Sequence, residues 1–365
     1  MPIQSFTFIR NYHDTALIMH ILIVNRSKIP VSAYGGAERI IWWLGKALVQ
    51  MGHKVTYLVQ KKSTCPFANV LWLDEKRPLA AQIPEECDLI HLHFQSEEEL
   101  PKPTLFTYHE NSEKAQQFHP NTVFLSRNHA QRHGGTEFVY NGLDLNDYGT
   151  PVLDNKRMYL HFLGKADWRV KNVKGAIELA KRTGDRLHVI GGSRVNFRRG
   201  LRITLNSHVR FHGMLGGDGK NVLLNGSKGL LYPTLWHEPF GLAMLESWWF
   251  GCPVFGTPYG SLPELVGDIR KNGHQRNNGN GVVDGIFSEL GCISLKKSEI
   301  IEGIRDAGSY SRQRCHEYVA DQFTSDRMAR EYVALYEKVL GGYQVHTLPP
   351  ICLEPQQGKL LPWQE

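Results

Sequence analysis

Two glutamates eight positions apart, Glu238 and Glu246, stand in "WHEPFGLAMLESWWFGCPVFGTP" (236–258), a run that is otherwise mostly apolar and contains glycines. An ionised carboxylate only accepts hydrogen bonds, so it suits hydroxyl groups and is a poor direct partner for phosphate. Pro239 fits the first position of a helix. Phe240, Gly241 and Leu242 then offer N–H groups that have no partner within the helix. At about 1.5 Å per residue, Glu246 lies roughly 12 Å along a helix that starts at Glu238. That separation suits the two ends of an extended hydroxylated ligand, with a diphosphate against the helix start between them, rather than a shared metal ion. Taken alone, the pair reads more simply as a capping glutamate and a polar-face glutamate.

Other residues could join such a site. Gly35 and Gly36 in "NRSKIPVSAYGGAERI" stand between a strand and a helix, where glycine lets the backbone approach a ligand and the free amides favour an anion. The pattern is neither G-x-G-x-x-G nor a P-loop, and a plain loop turn explains it equally well. "TLFTYHEN" sets His109 and Glu110 at the C-terminal end of a strand, where α/β folds keep functional groups. His91 and His93 lie within or at the end of another strand. In "HFLGKADWRVKNVKGAIELA" a strand ends at Gly164, Lys165 and Lys171 precede a helix, and Lys174 lies just inside it. Such cations can neutralise a diphosphate. For any one lysine, a solvated loop is the commoner reading.

The elements that must hold these residues follow from periodicity. "HILIVN" (20–25) reads as a buried strand, and residues 37–51 place Ile40, Ile41, Leu44, Leu48 and Met51 on one helical face before Gly52 stops the helix. "KVTYLV", "NVLWL", "DLIHLHF", "TLFTYH", "TVFLS" and "FVYN" continue as strands with room for helices between. A turn-rich segment at 141–156 interrupts the pattern, with a linker expected near 147–157. "YLHFLG", "RLHVIGG", "VRFHG", "GLLYP" and "CPVFG" then resume it. The fold class is α/β, with two doubly wound Rossmann-like domains facing each other across a cleft that would hold the site. The expected boundaries are an extension at 1–18, a first domain at 19–150, a second at 151–320, a terminal helix at 321–341 and a loosely ordered tail at 342–365. That tail holds four prolines.

A chain of 365 residues suits two such domains. Its 41% hydrophobic and 21% charged residues are ordinary for a soluble globular protein. No apolar run reaches the length of a membrane helix. The first residues lack the charged and apolar regions of a signal peptide. The six cysteines show no CxxC or zinc spacing, which fits a reducing cytosol. The net charge of +6 is compatible with a polyanionic ligand or with contact to an acidic membrane face. "SRVNFRRGLR" (193–202) has four arginines but one aromatic, Phe197, so nucleic-acid binding is not expected.

The order "GGAE", "YHE", "GK" with a second lysine, then "HEPFGLAMLE" followed by "GCPVFGTPYGSLPELV" resembles the family 4 retaining nucleotide-sugar glycosyltransferases, which have the GT-B fold. The resemblance covers about residues 19–340. It implies that Glu238 binds hydroxyls of the donor hexose and Glu246 the ribose. Amides of Phe240, Gly241 and Leu242 would face the sugar and diphosphate. Lys165 and Lys171 would hold the diphosphate, with Gly164 beside them and Gly35 and Gly36 approaching from the first domain. His109 would lie beside the reacting sugar, and Met214 in "FHGML" would border the base. Glu238, Lys171 and His109 are the expected catalytic residues. The family more often has arginine where Lys165 stands, and lysine lacks the bidentate fork.

The resemblance further implies a hexosyltransferase that uses a nucleotide sugar, UDP-sugars favoured, as substrate, without a metal or other cofactor. The acceptor would be a glycan or lipid-linked glycan, as in polysaccharide or lipopolysaccharide synthesis. The expected location is the cytoplasm, with peripheral contact to the inner face of the membrane. A related sugar-nucleotide epimerase and a non-catalytic sugar-nucleotide binder are the alternatives.

Overall fold

The computed structural model describes residues 17–31, 35–196, 202–267, 275–277, 283–353, 355–356 and 360–365. Most of the expected N-terminal extension, and residues 197–201 of the arginine run, lie outside them.

The first sheet contains β1 (His20–Val24), β2 (Lys54–Val59), β3 (Asn69–Trp72), β4 (Leu89–Leu92), β5 (Thr104–Thr107) and β7 (Thr122–Val123). Its order is β3-β2-β1-β4-β5-β7, and every pairing is parallel. All five residues of β1 are buried, as a central strand covered on both faces requires. The helix α1 (Gly36–Gln50) buries Ile40, Ile41, Leu44 and Leu48 as its periodicity demands, together with Trp43 and Ala47. It ends before Gly52, whose φ of +94° no ordinary residue adopts readily. The short helix α2 (Arg127–Arg132) starts at Ser126, whose hydroxyl accepts from the His129 amide. "FVYN" does not form the strand expected of it; its pairing is reduced to a single bridge between Phe124 and Phe138.

The second sheet begins with β8 (Tyr159–Leu163), β9 (Leu187–Ile190), β12 (Val209–Phe211), β13 (Ser227–Tyr232) and β14 (Val254–Gly256), and closes with β15 (Gln275–Asn277), β16 (Val283–Ser288) and β17 (Gly291–Ser294). The order is β12-β9-β8-β13-β14-β17-β16-β15; pairings are parallel as far as β17 and antiparallel beyond it. A separate ribbon joins β10 (Val195–Asn196) to β11 (Arg202–Ile203). The connecting helices are α3 (Val173–Thr183), α4 (Gly217–Asn225), α5 (Leu242–Trp249), α6 (Leu262–Val266), α7 (Lys297–Arg305) and α8 (Arg312–Gln322). In each sheet the chain winds to both sides of its first strand. The crevice at the carboxyl ends of β1 and β4, and of β8 and β13, is where such folds take ligands.

The last helix, α9 (Ser325–Leu340), returns to the first sheet and packs on α1 and β5. There the Tyr336 hydroxyl meets His91 Nδ1 at 2.7 Å and the Tyr332 hydroxyl meets Thr107 Oγ1 at 2.9 Å. The largest buried apolar cluster runs from β1 and α1 through Tyr148 to α5, α8 and α9, so one core spans both sheets.

The described residues of the tail overturn the expectation of loose order. Ile351–Cys352 form β18, which pairs with β6 (Gln116–Gln117). Val345, His346 and Cys352 are buried. The Gln356 amide donates to Ser112 O at 2.9 Å. Farther on, the Leu361 amide donates to Leu235 O, the Tyr259 hydroxyl donates to Pro362 O, and Trp363 packs on the core of the second sheet. Prolines lack N–H groups, but non-proline amides of the tail find fixed acceptors on both halves. Truncation after Gly341 is therefore expected to lower the melting temperature in a thermal-shift measurement, while an untruncated control with Leu353, an exposed position, changed to Ala leaves it within a degree or so.

Candidate active site

A cavity of about 640 Å³ lies where the carboxyl ends of the two sheets face each other. Gly35, Gly36, His109, Lys165, Lys171, Glu238, Phe240, Gly241 and Leu242, all singled out from sequence, line it. Gly164, Met214 and Glu246 are not among its lining residues. Gly164 directly follows β8 and lies against Gly191, where an added Cβ would lie 2.1 Å from the Gly164 oxygen. Met214 is exposed.

Glu238 sits in the segment that follows β13, and its backbone is clamped. It bridges to Gly260 and its carbonyl accepts from the Ser261 amide at 2.9 Å. Gly260 has φ +66°, and a Cβ there would fall 2.2 Å from the Glu238 nitrogen. The carboxylate is buried. Its Oε2 accepts from Lys171 Nζ at 2.6 Å and from Trp236 Nε1 at 2.8 Å. Lys171 Nζ also lies 4.7 Å from the Trp236 ring centre and 5.6 Å from that of Tyr232. A buried ammonium is thus compensated by a carboxylate and two π faces. Lys171 ends a 3-10 turn (Arg169–Lys171), after which Asn172 takes φ +53° and caps α3 by accepting from the Gly175 amide. Lys165 Nζ lies 4.7 Å from the Trp168 ring centre.

Two helices present their starts to this cavity. Gly35 precedes α1 and Gly241 precedes α5, and neither helix has a side-chain cap. Their first amides are open to an anionic ligand, aided by the helix dipole. The start of α5 corrects the sequence reading: the helix begins at Leu242, not at Pro239. Gly241, at φ +93°, breaks the geometry between them, so Glu238 belongs to an extended approach and not to the helix.

Glu246 lies in α5 and is almost fully buried. Its Oε1 accepts from Arg39 of α1 and Lys220 of α4, each at 2.5 Å, and from the Tyr148 hydroxyl at 2.7 Å. Burial alone would push its carboxyl up, but Arg39 and Lys220 outweigh this and hold it below the usual carboxylate range. Glu246 thus ties the two sheets together. Asn111 Nδ2 donating to His237 O at 2.6 Å and Ser126 Oγ donating to Pro239 O at 2.7 Å do the same beside the cavity. Glu264 of α6 accepts from the Asn128 amide and the Tyr140 hydroxyl. Sequence reasoning singled out none of these partners. Arg39 directly follows the "GGAE" motif, which was a usable signal; Lys220 and Tyr148 had none.

Burial lowers the His109 imidazole to about 4, so it is neutral near pH 7. Its Nε2 meets His93 Nδ1 at 2.9 Å. The loop after His109 is held by two more neutral rings. His129 Nδ1 accepts from the Leu125 amide and its Nε2 donates to Glu110 O; His133 Nε2 accepts from the Ser112 amide and its Nδ1 donates to His129 O. Both tautomers follow from these partners. Burial lowers both rings, His133 to about 4.

The fold is GT-B, as solved structures with this architecture show. AviGT4, described as a glycosyltransferase involved in avilamycin A biosynthesis, superposes with a TM-score of 0.67 at 19% identity, covering 89% of this chain and 98% of that one. Anabaena Alr3699/HepE in complex with UDP-glucose gives 0.60 at 16% identity, covering 87% and 98%. Within the sequence, residues 157–284 match the family described as "Glycosyl transferases group 1", which bears out the resemblance drawn from the motifs over this segment. The N-acetyl-alpha-D-glucosaminyl L-malate synthase of Bacillus anthracis is 29% identical over 200 residues. That match takes in 53% of this chain and 48% of the relative, so the chain spans about half of that relative's length.

Two outcomes follow. Gly260→Ala is expected to displace Glu238 and to lower the melting temperature in a thermal-shift measurement, because the methyl group meets backbone that cannot give way. Stability is also expected to depend on acid. The lowered histidines bind protons more readily unfolded than folded, so their contribution is complete above about pH 6.5 and is lost as pH falls toward 4. Below that, a proton on His133 Nε2 would face the Ser112 amide, donor against donor. Thermal melts between pH 7.5 and 4 check the direction.

Proposed function

We propose that the protein is a retaining glycosyltransferase. It transfers a hexose from a nucleotide diphosphate sugar, UDP-sugars favoured, to a glycan or lipid-linked glycan, without a metal ion. The observation that carries this reading is the Lys171–Glu238 pair, set between two uncapped helix starts in one cavity. Glu238 Oε2 is engaged by Lys171 and Trp236, which leaves Oε1 to accept from sugar hydroxyls. Lys165 and Lys171, with the amides at Gly241 and Leu242, offer positive charge where a leaving diphosphate gains negative charge. Neutral His109, with Nε2 turned to His93, can bond a sugar hydroxyl through Nδ1. The bond from the anomeric carbon to the phosphate oxygen breaks and a bond to the acceptor oxygen forms on the same face. The acceptor proton passes to the departing phosphate.

The match to group 1 glycosyltransferases supports the class, and the UDP-glucose bound to the Anabaena protein is consistent with the favoured donor. The test is nucleotide release from a panel of nucleotide sugars with glycan acceptors. Glu238→Ala and Lys171→Ala are expected to lower release by about a hundredfold or more, as loss of transition-state electrostatics does, in protein that remains folded by circular dichroism. Full activity in both variants would refute the assignment.

A further inference from the structure

Apart from the paired Glu238, the charges around the cavity are divided by side, and this division bears on the acceptor. Its cationic lining residues are Lys165 and Lys171, both from the half built on the second sheet. The half built on the first sheet contributes Glu38, Glu110 and Glu113, with no lysine or arginine among the described lining residues, and His109 adds no positive charge. None of these three carboxylates has an ion-pair partner among the described residues. A diphosphate is drawn to the lysine side. A negatively charged acceptor would meet carboxylates without cationic partners on the other.

A second feature points the same way. Asn141 is 5% exposed and lines the cavity, and its side-chain oxygen has no hydrogen-bond partner. Gln356, brought to the same cavity by the ordered tail, likewise has an unpartnered side-chain oxygen. Buried polar atoms rarely go unpaired, and each leaves an acceptor waiting for a donor. Carboxylate and amide oxygens together form a wall that accepts hydrogen bonds. The backbone of the acidic loop on this wall is fixed by His129 and His133 through Glu110 O and the Ser112 amide.

We propose that this wall selects an acceptor rich in hydroxyl or amine donors and free of acid groups: a neutral or amino sugar. The inference rests on the glycosyltransferase reading and narrows its acceptor. It also separates this chain from the Bacillus relative whose name includes L-malate, a dianion.

The test is equilibrium binding to the full-length protein in the presence of saturating UDP, with four probes: methyl glucoside, glucosamine, glucuronate and malate. Methyl glucoside and glucosamine are expected to bind at least about tenfold more tightly than glucuronate and malate. The double variant Glu110→Gln, Glu113→Gln changes two exposed side chains. It is expected to narrow the glucoside-to-glucuronate ratio by about threefold or more, a change in charge preference that a merely structural role would not produce. Acids binding equally or better, no probe binding at all, or an unchanged ratio in the double variant would each overturn the proposal. Stabilisation of the wild-type protein by UDP alone is measured beside it. If UDP fails to bind, the donor assignment falls; if UDP binds and the acids win, only the acceptor inference falls.

Discussion

The buried ion pair between Lys171 and Glu238 is the contact on which the site depends. Each side chain is about nine-tenths buried, so neither charge could stay there alone. Removing one member of such a pair typically costs about 3–5 kcal/mol, because the other is left uncompensated. The surroundings are built around this requirement. Asn172 turns the chain so that Lys171 points inward, Gly260 lets a second backbone lie against Glu238, and Trp236 supplies both an N–H and a π face. A ligand can use this pair because it leaves one carboxylate oxygen and the ammonium's remaining protons unclaimed by strong partners.

The second constraint is the closeness of the two halves. Glu246 accepts from Arg39 on one side and Lys220 on the other, and the tail runs from β6 of the first half to Leu235 of the second, where its Trp363 packs on the core. The cavity is therefore bounded by contacts from both halves. Lys220 shows the tension in this arrangement: burial lowers its affinity for a proton and Glu246 only partly offsets that. Glu246 was read as a ribose ligand. In this structure its one bonded oxygen carries three donors, and nucleotide binding there would have to share them.

Much of this was legible in the sequence, for physical reasons that can be named. Central parallel strands are apolar on both faces, so "HILIV" and "GLLY" announce themselves, and α1 shows its face through Ile40, Ile41, Leu44 and Leu48. Glycines before the two cavity helices marked places where no side chain could stand. What stayed hidden was long-range. Pro239 looked like a helix start because the φ of Gly241 cannot be read from its neighbours. The partners of Glu246 lie 207, 98 and 26 residues away. The tail's order depends on acceptors at Pro120, Ser112 and Leu235 that no local pattern reveals.

The central claim is that Glu238 holds the sugar while Lys171 holds the diphosphate. It is tested most directly by titrating UDP and UDP-glucose against wild type and Glu238→Gln. The account predicts that the variant binds UDP as well as wild type or better, since Lys171 loses a competing carboxylate, while UDP-glucose weakens relative to UDP by about tenfold. An unchanged ratio of the two affinities would contradict it.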